Sequence, residues 1–388
     1  MKEVRYGIIG LGNQGSTYIK EFFNKGKVAN AKITALCDIN PDKIALAKEY
    51  TKGQKIEFFT DYKIMLESGL VDAVMVETPH YSHPEIAQEC LNRGIHALVE
   101  KPAGVYAKQV KEMNATAGKS HALFGMMFNQ RTNCVYRKMR EMIADGEIGE
   151  LQRVVWVITN WYRPQAYYDS SNWRATWCGE GGGVLINQCP HQLDLLQWVV
   201  GEMPETVHGF CGYGKWHDIE VEDEVTAYFR YKNGATGVFI TTTGEAPGGN
   251  RLEISGTKGK LLCENDKIEF YRLSEDINEF SARNEVLFGS PEVEKIDVET
   301  DGENPQHLGI INNFTQSILG KEKLFVDGTD GLRGVELMNA IEYSGWHGGV
   351  ETHVPVNEDE YIAELNKKCV CSRTKNVSEK LADTTGTY

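Results

Sequence analysis

The sequence predicts an α/β protein: an N-terminal doubly wound parallel sheet, then an α+β unit built on a large, mostly antiparallel open sheet. Three observations predict it. Over residues 1–128, short apolar runs alternate with helical patterns, as strand–crossover–strand units require. A G-x-G-x-x-G turn joins the first run to the first helical pattern. After residue 129 the rhythm changes to short strands separated by turns.

In chain order, buried-strand signals fall at Val4–Ile9, Lys32–Asp38, Glu57–Thr60, Asp72–Glu77, His96–Glu100 and His121–Met126. Helical patterns lie between them at Gly15–Asn24, Asp42–Tyr50, Asp61–Ser68, Pro84–Arg93 and Ala107–Ala117. Pro41 and Pro84 stand near two of these starts, where a missing N–H costs nothing. A helix at Asn133–Ala144 bridges to the second unit, with Met139 and Ile143 inward. Strands follow at Leu151–Thr159, Thr226–Tyr231, Ala235–Thr242, Arg251–Ser255, Lys260–Glu264 and Lys267–Tyr271, with a hairpin turn at Asn233-Gly234. Long helices return at His307–Leu319 and Gly331–Ser344. The expected division is 1–128 for nucleotide binding, 129–371 for substrate and oligomer contacts, and a polar tail at 372–388. That tail reads as loosely held, or as an arm to a neighbouring subunit.

Composition excludes several classes. Lys plus Arg number 41 against 55 Asp plus Glu, a net charge of −14, so neither nucleic acid nor an anionic membrane is an expected partner. No apolar stretch approaches the ~18 residues of a membrane span. The 9 cysteines are mostly scattered, as in reduced cytoplasmic proteins, and Cys369-x-Cys371 has no second pair to make a zinc site. No signal peptide precedes the first strand. The expected compartment is the cytoplasm, and no metal is expected.

Gly10-x-Gly12-x-x-Gly15 follows a strand, opens a helix, and is trailed 23 residues later by Asp38 at the end of the second strand. That context is the dinucleotide fingerprint: a tight turn at Gly10, backbone approach to a pyrophosphate at Gly12, close helix packing at Gly15. Asp38 would accept from the adenosine ribose hydroxyls and repel a 2′-phosphate, favouring NAD over NADP. The residues expected against the cofactor are Gly10, Gly12, Asn13, Gln14, Gly15, Asp38, Thr78, Pro79, His80, His83, Glu100, Lys101 and Asn129. The Thr78–His83 stretch ends the fourth strand, near the switch point where such sheets bind ligands.

Lys101 leaves the fifth strand toward the nicotinamide end, where it can stabilise alkoxide character on a substrate oxygen. Otherwise it is a surface lysine at a strand end. The run Gly181–Val200 reads as one helix that places Asn187, His191 and Asp194 on one face. Pro190 inside that helix would cost about 3 kcal/mol, which a bend aiming His191 would explain. His191 is then the base for a hydroxyl proton, or else a core histidine satisfied by Asp194. Trp161, Tyr162, Tyr167, Tyr168, Trp173 and Trp177, with Arg163 and Arg174, crowd seventeen positions. They suit stacking on sugar faces, or equally a lid or subunit contact. The expected substrate contacts are Tyr162, Arg163, Trp173, Arg174, Asn187, His191 and His307.

These motifs (GIIGLGNQG, Thr78-Pro79, Glu100-Lys101-Pro102, GGGVLINQCPHQLD, LEISGTKGKL and GLRGVELMNAIEYSG) resemble the glucose–fructose oxidoreductase, inositol dehydrogenase and rhizopine catabolism (Gfo/Idh/MocA) family. The resemblance implies a Rossmann domain, a C-terminal α/β domain, homo-dimers or tetramers, NAD, and Lys101 with His191 as catalytic residues. The family usually carries Asp where this chain has Asn187, so no proton relay through that side chain is expected, and His191 acts as base alone. The NQCPHQLDLLQW block resembles a subgroup that oxidises the C3 hydroxyl of sugars and glycosides. Alternatives are an NAD-dependent glycosidase working through transient C3 oxidation, an inositol dehydrogenase, and a non-catalytic NAD sensor.

Overall fold

The computed structural model describes residues 2–375 and residue 377. The first unit alternates β1 (Val4–Ile9), α1 (Asn13–Thr17), β2 (Ala31–Cys37), α2 (Pro41–Tyr50), β3 (Glu57–Phe59), α3 (Tyr62–Glu67), β4 (Ala73–Val76), α4 (His83–Asn92), β5 (His96–Val99), α5 (Ala107–Ala117) and β6 (Phe124–Met126). The six strands form one parallel sheet in the order β3-β2-β1-β4-β5-β6. The order reverses between β1 and β4, which makes the carboxyl edge there the ligand-binding crevice of such a sheet. Central strands are apolar throughout because helices cover both faces: Ala73, Val74, Met75 and Val76 are all fully buried. Caps set the helix starts. Asn40 accepts from the Asp42 N–H at 2.9 Å, and Asp61 from the Lys63 N–H at 2.7 Å.

Most boundaries in this unit fall within a residue of the sequence expectation, and two elements depart further. The helix expected over Gly15–Asn24 turns from α to π hydrogen bonding at Tyr18–Phe23. The sixth strand begins at Phe124 instead of His121: the Leu123 N–H is taken by the His96 ring nitrogen at 2.8 Å, and only its carbonyl, accepting the Ala97 N–H at 2.9 Å, joins the ladder.

The second unit comprises α6 (Cys134–Ala144), β7 (Leu151–Ile158), α7 (Gln165–Tyr168), α8 (Val184–Asn187), α9 (Pro190–Val200), β8 (Thr206–Tyr213), β9 (Glu222–Arg230), β10 (Thr236–Thr242), β11 (Asn250–Gly256), β12 (Gly259–Glu264), β13 (Lys267–Leu273), α10 (Ile277–Arg283), β14 (Val293–Val298), α11 (Gln306–Ile318), α12 (Gly331–Trp346), β15 (Thr352–His353) and α13 (Glu358–Val370). Nine strands run β14-β13-β12-β11-β7-β10-β9-β8-β15. All pairs are antiparallel except β7 with β10. Inward residues alternate along the strands, and Trp156, Phe229, Phe239 and Phe270 anchor the core.

The helix expected across residues 184–200 is two helices, and this corrects the proline argument. The Cys189 N–H returns to the Val184 carbonyl at 2.9 Å, and Pro190 opens α9 at its first turn. There its missing N–H costs nothing, so no strain needs a functional explanation. Asn187 and His191 consequently stand on separate helices.

The chain also crosses the expected boundary at residue 128. α11 packs back on the first sheet, with Thr315 Oγ1 bonded to the Tyr6 hydroxyl at 2.8 Å and Asn312 accepting from the Ala29 N–H at 2.9 Å. Lys375 in the tail donates to the carbonyls of Tyr168 and Arg174 at 3.1 and 2.9 Å, and Arg373 pairs with Asp218 at 2.5 Å. The described part of the tail therefore folds onto its own subunit instead of reaching away. Residue 376 and residues 378–388 of the expected arm lie outside the described residues.

Candidate active site

The cofactor end is built at the carboxyl edge of the first sheet. Gly10 has φ +99, and a Cβ there would lie 2.5 Å from the Glu77 carbonyl oxygen. A Cβ on Gly15 would lie 2.1 Å from the Gly10 oxygen. Both glycines are therefore needed for the turn and its packing. Gly12 differs: a Cβ there would meet no protein atom within 4 Å, so its bareness serves approach by a ligand. Asn13 and Gln14 open α1 beside it. Asp38 accepts from the Leu11 and Asn40 N–H groups, both at 2.8 Å. Each carboxylate oxygen retains a lone pair for a ribose hydroxyl.

The loop after β4 is only partly what its sequence suggests. Thr78 and Pro79 line its exit, and Thr78 Oγ1 is bonded to Ser82 at 2.8 Å. His83 is a brace: its ring nitrogens face the carbonyls of Pro102 and Thr78 at 2.8 and 2.6 Å, so neither is left for a cofactor. His80 is buried with Nδ1 3.0 Å from the Glu180 carbonyl, its ring edge-on to Trp173. Burial, with His83 and Lys101 near, holds it well below the usual histidine range.

Glu100 also serves the protein. Its oxygens accept from the Tyr18 hydroxyl and, at 3.0 Å, from the Lys101 N–H. Its carboxyl is pushed up by burial and pulled back by Lys101. Glu77, half-buried with one carboxyl oxygen enclosed, is pushed well up by desolvation and by Glu100.

Lys101 Nζ donates to the Asn187 carbonyl at 2.7 Å. Burial lowers its pKa against the opposing pull of Glu100 and Glu180. His191 lies on α9 with its ring edge-on to Phe128, 6.4 Å between centroids. Its buried Nδ1 has no hydrogen-bond partner among the described residues. Burial, Lys101 and His307 hold it well below the usual histidine range, so it is neutral and able to take a proton at pH 7. His307 packs on Tyr18 at 5.7 Å and is lowered to about 3 by burial and by Lys101. Asn129 Nδ2 donates to Gln306 at 2.5 Å and lies 3.4 Å from His307 Nδ1, while its Oδ1 has no partner among the described residues.

Asp194 does not join His191. Arg131 takes both its oxygens at 2.6 and 2.8 Å, in full burial, and reaches Asp330 at 2.7 Å. The reading of His191 as a core histidine satisfied by Asp194 is overturned with it.

The aromatic run separates into two groups. Trp177 is buried against Trp346 at 5.7 Å, and Tyr168 is buried with its hydroxyl 2.7 Å from Thr243. These two are core and cannot stack on a sugar. Tyr162 is 51% exposed, and Arg163 donates to its own loop carbonyls at 3.0 and 3.4 Å. Trp173 and Tyr167 are half-buried, with the Arg174 guanidinium 4.8 and 4.3 Å from their ring centres. Arg174 donates to the Tyr167 hydroxyl at 2.6 Å, and its buried Nε has no partner among the described residues. Asn187 Oδ1 accepts from Tyr167 and Gln188 at 3.1 and 3.0 Å, and its Nδ2 donates to Glu180.

Sequence reasoning missed Glu180. An acid set directly before three glycines was the available signal, since such a loop packs without side chains of its own. The structure thus brings Lys101, Asn129, Arg174, Asn187, His191 and His307 to the sheet's carboxyl edge. Unpartnered buried atoms on Asn129, Arg174 and His191 are of the kind a hydroxyl-rich ligand satisfies.

Comparisons agree with this architecture. Residues 4–128 match the oxidoreductase family with an NAD-binding Rossmann fold, and residues 136–262 match the GFO/IDH/MocA C-terminal domain. The myo-inositol 2-dehydrogenase of Thermotoga maritima is 23% identical over 348 residues, 88% of this chain and 96% of that protein. The levoglucosan dehydrogenase of Pseudarthrobacter phenanthrenivorans is 25% identical over 68% of this chain and 74% of its own length. Among solved structures, the WlbA dehydrogenase of Chromobacterium violaceum, in complex with NADH and UDP-GlcNAcA, superposes with a TM-score of 0.77 at 24% identity, covering 92% of this chain and 97% of that one.

Proposed function

Because the chain belongs to the Gfo/Idh/MocA family of NAD-binding oxidoreductases, we propose that it oxidises a ring secondary hydroxyl of a sugar or glycoside, at C3 of a pyranoside, giving a 3-keto sugar. The observation that carries the reading is a buried His191, its Nδ1 without a partner among the described residues, beside Lys101, whose Nζ is held on the Asn187 carbonyl at 2.7 Å at the carboxyl edge of the sheet. NAD, on the Gly10–Gly15 turn with Asp38, supplies the hydride acceptor. His191 takes the hydroxyl proton, and Lys101 holds the oxygen as negative charge develops on it. Tyr162 offers an exposed ring face, the half-buried Trp173 the face not covered by Arg174, and the free Nε of Arg174 a hydroxyl donor. A pyranoside has a C–H face to stack on, and an aglycone adds a second; a linear polyol has neither.

Product NMR across a panel of pyranosides, inositols and linear polyols tests this. Pyranosides are expected to be preferred, with the carbonyl at C3. Preference for inositol would favour the second reading, which the inositol dehydrogenase relatives support. Net cleavage of a glycoside would indicate elimination after oxidation.

Cofactor choice is part of the proposal. The Asp38 carboxylate, buried at the end of β2, should favour NAD over NADP. Asp38→Ala is expected to narrow the gap by ~1–3 kcal/mol, the value of a charged hydrogen bond. Titration of both dinucleotides with both proteins measures it, and equal affinities in the unmutated protein would refute it.

A further inference from the structure

We infer that Glu180 is a positioning residue for the redox reaction, fixing the Asn187 side chain and supplying negative charge to the Lys101 site; this rests on the reading of Lys101 proposed above. Glu180 is 1% exposed, so its charge is screened little by solvent. The groups bonded to it all donate, and the buried Glu222 carboxyl is a like charge nearby. Oε2 accepts the Ala175 N–H at 2.5 Å, Oε1 accepts the Asn187 amide, and Arg174 lies 3.5 Å away. A carboxyl surrounded by donors is accommodated as the carboxylate, whose four lone-pair sites match them. Burial pushes its pKa up, while Arg174, the Ala175 N–H, Asn187 and Lys101 pull it back.

The connection to Lys101 runs through one residue. Asn187 offers its backbone carbonyl to Lys101 Nζ at 2.7 Å and its side-chain amide to Glu180. With Nδ2 held this way, Oδ1 is turned to Tyr167 and Gln188. A fixed Asn187 is thus a fixed seat for the lysine. An Asp in its place would set a second carboxylate against Glu180, and like charges at that spacing cannot both stay ionised at low cost. Amide and acid therefore form a matched pair.

The other charged and titratable groups around Lys101 are accounted for. Glu100 on the strand end and Cys189 before α9 favour its charged form, and Arg174 opposes it. His80, His83, His191 and His307 all have lowered pKa values, and Lys101 is among the causes for each. Burial and Lys101 both work against a charge on these histidines, so none of them supplies the negative charge that Glu180 does. Loss of the Glu180 charge should then lower the pKa of Lys101.

Two measurements test this. One is the pH profile of kcat/KM, on whichever pyranoside or inositol the wild-type enzyme oxidises. The other is NMR titration of 13C-methylated lysines, with Lys101 assigned by its absence in Lys101→Met. In Glu180→Gln, the Lys101 titration and the alkaline limb of the profile should both fall by about one pH unit. In Glu180→Asp, charge is kept but the reach to Asn187 is lost, so the limb should stay while kcat falls. An unmoved Lys101 titration in Glu180→Gln would overturn the proposal. Should Glu180→Gln fail to fold, wild-type kcat in Glu180→Asp overturns it. The NMR titration needs no turnover, so a substrate panel that fails refutes the function proposed above without touching this result.

Discussion

Replacing Lys101 by Met or His191 by Ala should each slow the chemical step by on the order of 10²–10⁴. The two losses have different causes. Lys101→Met removes the cation facing the oxygen and frees the Asn187 carbonyl it holds at 2.7 Å. His191→Ala removes the buried imidazole that is to accept the hydroxyl proton. NAD affinity should largely survive both, since the Gly10–Gly15 turn and Asp38 are untouched and Lys101 is only one of the expected cofactor contacts, and a binding titration separates the effects. Normal turnover in Lys101→Met would make the lysine a strand-end brace. The pH profile supplies a sign. His191 must be neutral to accept a proton, and burial with Lys101 and His307 lowers its pKa. The acid limb of oxidation should therefore lie below 6.5, the free-histidine value. A limb above 6.5 would mean another group is the base.

The largest loss of stability is expected at Arg131. Its guanidinium is 2% exposed, takes both oxygens of Asp194, reaches Asp330, and lies 5.3 Å from the ring centres of Phe128 and Trp198. Arg131→Met would leave Asp194, 1% exposed, buried without its partner. Removing one partner of a buried pair costs about 3–5 kcal/mol. Replacing both, as Arg131→Met with Asp194→Asn, should recover part of the loss, because no lone charge then remains. Denaturant unfolding of the three variants measures it. A loss under ~1 kcal/mol in the single variant would show that water or a neighbour compensates. Turnover should suffer as well, since this pair joins the chain after β6 to the helix carrying His191.

The first sheet was legible because buried parallel strands announce themselves as apolar runs, and because glycines and an acid at fixed spacing have one common structural cause. β8 was missed for the opposite reason: Thr206–Tyr213 carries two glycines and little alternation. β14 was missed because it is a mostly exposed edge strand in which Glu294, Lys295 and Asp297 interrupt the apolar residues. At the site, Lys101 and His191 could be proposed from position, but their surroundings could not. Asp194 stands at helical spacing from His191, yet its partner is 63 residues away in sequence. Trp177 and Tyr168 look like sugar platforms until packing places them in the core. Glu180 owes its meaning to an amide seven residues later, on the last residue of α8, just before the helix is interrupted at Gln188-Cys189.

The return of α11 to the first sheet bears on how such a molecule can be divided or recombined. A fragment ending at residue 128 would retain Tyr6 and Gly125 but lose Thr315 and Phe314, whose ring lies 3.0 Å from a Cβ built on Gly125. Its apolar face would lie bare to water, inviting aggregation. The nucleotide-binding half is therefore not an exchangeable cassette. Grafting it onto another catalytic half, whether by recombination or in the laboratory, would require carrying residues 306–318 along as a covering piece.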